Sequence, residues 1–143
     1  MAAHGEAIVD QLITWLDAIE NPNIKKVHRI PPHPNLYSLR PCAFVYLIKA
    51  RPTSRADNNK TWVFEIGVDV LANTSEDGNI TATVDEFRQV IENKLDSDQS
   101  INSTCMKSNT HEWAFAYPES ETGGLCLGST IVSATVQITK GAN

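Results

Sequence analysis

From Thr61 to Ala72 the side chains follow a period of two. Trp62, Phe64, Ile66, Val68 and Val70 fall on one face, with Thr61, Glu65, Gly67 and Asp69 on the other. Period two over that length is a strand with one buried face. Its register is strict, because a slip of one residue would turn all five apolar side chains to water. The chain must therefore build a sheet and cover the Trp62 face with a second layer.

Two segments can supply that layer. Ile8, Leu12, Trp15, Leu16 and Ile19 recur at helical spacing, with Asp10, Gln11, Thr14 and Asp17 opposite. This predicts an amphipathic helix of about four turns. Asn21-Pro22-Asn23 is expected to end it, since proline cannot continue the hydrogen-bond ladder. The second helix opens at Thr83-Val-Asp-Glu86, which reads as a capping box. There the Thr83 hydroxyl would satisfy an orphan N–H while Glu86 reaches back. Val84, Phe87, Ile91 and Leu95 then share one face, with Arg88, Glu92 and Lys94 outside.

Other strands flank the central one. Ala43 to Ile48 is apolar on both faces and is expected mid-sheet. Ile24 to Ile30 predicts a short strand, held at an edge by Lys25, Lys26, His28 and Arg29. Four of the seven prolines crowd into Pro31 to Pro41, an extended connection with Leu36, Tyr37 and Leu39 as anchors. Strands are also expected at Thr104 to Lys107, at His111 to Tyr117 with His111, Trp113, Phe115 and Tyr117 on one face, and at Leu125 to Thr139. The last alternates Val132, Ala134, Val136 and Ile138 with Ser133, Thr135 and Gln137, after a polar loop from Pro118 to Gly124. Lys49 to Lys60, KARPTSRADNNK, reads as a long basic loop between the two central strands, too long for a tight turn. The expected class is α+β: one domain over residues 1–143, a mainly antiparallel twisted sheet, and two helices packed on one face.

Charge is divided as sharply as hydropathy. Eight of the twelve basic residues lie between Asn21 and Lys60, where Asp57 is the only acid. That block carries net +7 in a chain of net −5, and the Lys49–Lys60 segment alone carries +3. A basic surface on an acidic body suits docking on an acidic protein partner, including a second copy of the chain. The plainer reading is a solubilising loop beside a charged edge strand. Sequence-specific nucleic-acid binding is not expected, because the chain is acidic and Lys49 to Lys60 contains no aromatic residue.

Chemistry-bearing motifs are missing. His28, His33 and Cys42 match no zinc spacing. Asp85 suits a helix N-terminus, and Glu119 and Glu121 flank a solvated Gly-Gly turn. Gly123-Gly124 lacks the lysine of a phosphate loop, and no GxSxG or HExxH occurs. No catalytic residue, metal or cofactor is expected. Cys42, Cys105 and Cys126 read as small buried hydrophobes in a reducing compartment. Sequons at Asn73, Asn79 and Asn102 read as polar turns. No apolar run approaches the roughly 20 residues that span a bilayer, and Met1-Ala-Ala-His-Gly-Glu6 lacks signal-peptide character, so no membrane partner is expected.

The order of elements resembles the tail terminator (tail-completion) proteins of long-tailed bacteriophages. The shared features are the opening amphipathic helix Ile8 to Ile19, Arg40-Pro41 leading into Ala43 to Ile48, a long loop, and the long strand Thr61 to Ala72. The second helix and a closing strand, Leu125 to Thr139, complete the likeness. It covers nearly the whole chain and rests on order, length and pattern. It implies a virion structural protein that forms a ring, a homohexamer, on the head-proximal end of the tail tube. Such a ring ends tube polymerisation and offers a docking surface to neck or connector proteins, with the tail sheath a further possible neighbour. The implied location is the virion tail and neck, and the host cytoplasm during assembly. Lys49, Arg51, Arg55, Asn58 and Lys60 are then the candidate tube contacts, with Arg51 and Arg55 foremost. Lys25, Lys26, Arg29, Tyr37 and Arg40 are candidate subunit-interface residues. Competing expectations are a head-completion or stopper protein, a cytoplasmic binding module for a small acidic ligand, and, last, a small enzyme.

Overall fold

A computed structural model of the chain describes residues 3–20, 23–56, 59–73, 79, 81–118 and 124–139, with the side chains of 54–56, 59 and 139 outside that description. Helix α1 (His4–Asp17) is followed by strand β1 (Lys26–His28), a single 3-10 turn (Pro34–Leu36), and strands β2 (Cys42–Ala56) and β3 (Asn59–Asn73). Helix α2 (Ala82–Ser97), short strands β4 (Lys107–Thr110) and β5 (Ala114–Ala116), and long β6 (Leu125–Thr139) complete the chain. The sheet order is β1-β2-β3-β6-β4, with β5 also on β6, and every pairing except parallel β1–β2 is antiparallel. The fold is α+β, as the alternation of Thr61 to Ala72 requires.

Strand β3 lies at the centre, paired with β6 along its whole length and with β2 from Asn59 to Leu71. Its Phe64, Ile66, Val68 and Val70 meet Ala43 and Val45 of β2 and Val132, Ala134 and Val136 of β6 in one buried cluster. Ile8, Leu12 and Leu16 of α1 and Phe87, Ile91 and Leu95 of α2 close the same cluster, so both helices sit on one face. The opposite face carries a smaller core of Cys42, Phe44, Leu71 and Leu125. The proline-rich connection covers it, with Leu36 and Tyr37 packed against it; Leu39 stays exposed.

Several sequence expectations are corrected. Lys49 to Lys60 is not a loop: β2 continues to Ala56 and β3 begins at Asn59, so only positions 57 and 58 separate them. The segment hid its strand character because register shifts between Leu47 and Lys49 and between Pro52 and Ser54 break the period of two. Ala43 to Ile48 is not wholly mid-sheet, since Leu47 and Ile48 are 40% and 45% exposed. The first helix ends at Asp17, where the amides of Ala18 and Ile19 tighten onto Trp15 and Leu16. Asn21 and Pro22 lie outside the described residues. Thr83 does not cap α2 but lies within its first turn. The cap position is Thr81, whose amide and hydroxyl both donate to the Asn79 side-chain oxygen at 3.1 Å. The expected strand at Thr104 to Lys107 begins only at Lys107, because positive φ at Ile101, Asn102 and Ser103 makes a tight turn before it. His111 to Tyr117 narrows to Ala114–Ala116. Most of the Pro118–Gly124 loop, 119–123, lies outside the described residues.

Candidate interaction surface

Strand β1 pairs with only Cys42, Ala43 and Phe44 of β2. Among the described residues the outer edge of β2 is therefore open from Val45 to Ala56. On the far side, β5 and β4 cover β6 up to Thr135, where the Met106 amide donates to the Thr135 carbonyl at 2.7 Å. Beyond it, 136–139 has no outer neighbour among the described residues. The distal β2–β3 hairpin and the end of β6 thus form an arm of the sheet with two open edges of unlike sequence among the described residues, its Trp62 and Ile138 packed against the main core.

The arm is basic on the sheet face turned from the helices. Lys49 stands directly across from Glu65, its Nζ 3.3 Å from Oε2, and Arg51 Nε lies 3.8 Å from the same oxygen. The Glu65 side chain is only 11% exposed, so one recessed carboxylate sits beneath two exposed cations. The surface remains positive. Lys60 lies on the other face, its Nζ 4.7 Å from the Trp62 ring centre. The Arg55 side chain and all of Asn58 lie outside the described residues. The five candidate contacts thus divide: Lys49 and Arg51 come together, and Lys60 does not join them.

The second set of candidates is also divided. Lys25 and Lys26 are exposed and make no ion pair among the described residues. Arg29 is held by α1, with Nη1 2.6 Å from Glu6 Oε2 and Nη2 on the Asp10 carboxylate. Arg40 serves the proline-rich connection, its Nη1 donating to the Tyr37 carbonyl at 2.8 Å while Nε is buried without a partner. Tyr37 packs edge-on to Phe44, with ring centres 6.1 Å apart. Tyr37 and Arg40 therefore build the molecule's own second core.

His28, His33 and Cys42 do not converge on a shared site. His28 stacks on Phe44, His33 Nδ1 accepts from the Asn35 amide at 3.1 Å, and the Cys42 thiol points to the Leu36 carbonyl. Burial pushes the Cys42 and Cys105 thiols up to about 11. Among the described residues no three His, Cys, Asp or Glu side chains are grouped to hold a metal ion, and no helix is long and apolar enough to cross a membrane.

One polar cluster was not singled out from sequence. His28, Phe44, Asp69 and Ser129 are register neighbours across four strands. Asp69 is 3% exposed, and its Oδ2 has no hydrogen-bond partner. Burial raises its carboxyl above the ordinary range, against the smaller opposing effect of the Ser129 and Tyr46 hydroxyls that donate to it. The Tyr46 hydroxyl is itself pushed up, by burial and by the Asp69 charge. The ring of Tyr46 lies flat over Gly67, where any Cβ would collide with it. The available sequence signal was an acid set between Val68 and Val70 in the most apolar part of the strand.

No family model matches this chain, and no curated protein matches it.

Proposed function

We propose that the chain is a virion structural protein that closes into a ring on the head-proximal end of a phage tail tube. The ring stops tube growth and presents a docking surface to the neck. The observation that carries this reading is the distal arm of the sheet, with one open edge on β2 and a different open edge on β6 among the described residues, and Lys49 and Arg51 on one face. Unlike edges favour a heterologous, head-to-tail contact, and such contacts close into rings when the rotation fits. Open backbone edges add strands across a subunit boundary by the same hydrogen bonds that build a sheet.

Charge supports the same reading. On the helical layer Glu6 and Asp10 are paired with Arg29 and Asp85 with Arg88, which leaves Asp17, Glu86 and Glu92 without an ion pair among the described residues, whereas Lys49 and Arg51 are on the far sheet face. One copy therefore offers a partner both signs on separate surfaces.

The test is electron microscopy of particles assembled without the protein. Overlong tail tubes are expected. Tubes of normal length joined to heads that leak their contents would instead assign the chain to a stopper of the neck. Intact particles would remove it from the virion altogether.

A further inference from the structure

We infer that a crevice between α1 and α2 is the socket for Leu47 and Ile48 of a second copy of this chain. The inference rests on the ring reading and names the contact that would close the ring.

The socket has a volume of about 230 Å³ and is lined by Leu12, Leu16, Val68, Ile91, Leu95 and Val132. An apolar cavity of about 150 Å³ is enough to take up benzene, so this one has room for a branched aliphatic side chain. Its single charged lining residue, Lys94, rests its Nζ 5.0 Å from the Trp15 ring centre.

Leu47 and Ile48 are the matching projection. They are two adjacent large hydrophobics left 40% and 45% exposed, at the first register shift of β2 and on its open edge. They cannot fill their own socket. Leu47 sits beside the start of α1, where a Cβ on Gly5 would approach its Cδ2 to 3.1 Å. The socket lies at the other end of α1, around Trp15 to Ile19. Eleven residues separate Gly5 from Leu16, about 16 Å at the rise of an α-helix. Projection and socket are therefore displaced along the molecule, and a second copy must bring them together.

Charge favours that copy over an unrelated apolar ligand. Asp17 and Glu20 are exposed among the socket residues Leu16, Ala18 and Ile19. The last turn of α1 has no basic residue to offset the partial negative charge of its carbonyls. Lys49 follows directly after Ile48, with Arg51 two positions further on. Seating Ile48 would bring the adjacent Lys49 to that acidic rim, joining an apolar anchor to a charged border as protein interfaces do.

A photo-crosslinking residue at position 48 of the full chain tests this, with isotopically light and heavy copies mixed at high concentration and mapped by mass spectrometry. The expected products join position 48 of one copy to peptides within 12–19 or 90–95 of a differently labelled copy. Asp17→Lys with Glu20→Lys should cut their yield at least tenfold at low salt, and Ala18→Trp should abolish them. Crosslinks to any other surface, or none between copies, overturn the inference. Uptake of an apolar dye by the crevice without intercopy crosslinks overturns it too, in favour of a small amphiphile. The tube-length phenotype is read separately, so loss of this contact alone would leave the terminator reading standing.

Discussion

Asp69 shows how one residue can set the pH response of the whole fold. Its carboxyl is raised above the ordinary value of 3.8 by burial. A group raised in the folded state stabilises fully below its unfolded value, and that contribution is lost as pH rises through the folded value. Asp98 works in the opposite sense. Hydrogen bonds from the Ser100 hydroxyl and the Asn102 amide lower it, so its contribution is present above 3.8 and lost on acidification. Asp69→Asn keeps an oxygen for Tyr46 and Ser129 to donate to, and removes the buried charge. It should raise the melting temperature at pH 7, with the gain shrinking towards pH 4; thermal melts across that range check the sign. An unchanged or lower melting temperature at pH 7 would mean that the charge is needed there. Gly67→Ala probes the neighbouring contact. The added methyl must displace the Tyr46 ring, at a cost of roughly 1–3 kcal/mol on chemical denaturation.

At the scale of elements, α1, α2, β3 and β6 were legible because each carries its own period over most of a face, in β6 from Val132 to Ile138. The arm was not. Its pairing depends on β3 as partner rather than on its own pattern, and Pro52 and two register shifts disguise a strand that its neighbour enforces. The start of α2 misled for a different reason. Thr83-x-x-Glu86 has capping-box spacing, yet the helix begins earlier because the Asn79 side chain makes the turn that leads into it. The two accounts predict opposite mutants. Asn79→Ala should destabilise by about 1 kcal/mol, the usual net worth of a hydrogen bond, because Thr81 loses its acceptor. Thr83→Ala should be neutral or slightly stabilising, since alanine is the better helix former inside the first turn. Denaturant titration of both variants separates them, and a costly Thr83→Ala would restore the capping box. Of the candidate contacts, sequence placed Lys49 and Arg51 on a loop with Arg51 and Arg55 foremost, whereas the structure puts Lys49 and Arg51 on one face of β2 beside Glu65. Sequence could not show that Arg29 is claimed by Glu6 and Asp10, because those partners come from a helix distant in sequence.

At the scale of the molecule, an acidic helical layer and a basic arm predict how assembly responds to salt. Exposed charges more than a Debye length apart are screened, and that length shrinks from about 10 Å at 0.1 M to about 3 Å at 1 M. The apolar seating of Leu47 and Ile48 is not weakened in this way. Under the proposed function, ring formation on tube ends should therefore slow strongly with salt, while rings already closed dissociate only slightly faster. Charge complementarity acts mainly on encounter, whereas the buried anchor acts mainly on release. Arg51→Ala with Arg55→Ala should leave the monomer folded, because Lys49 still faces Glu65. The double variant should cap tubes slowly at low salt and lose most of the wild-type salt dependence. Ile48→Asp should show the converse, with salt-sensitive arrival and rapid loss. Capping kinetics followed by light scattering of growing tubes distinguish the two. Equal salt dependence in wild type and double variant would remove the basic arm from the docking step and leave the open strand edges as the contact.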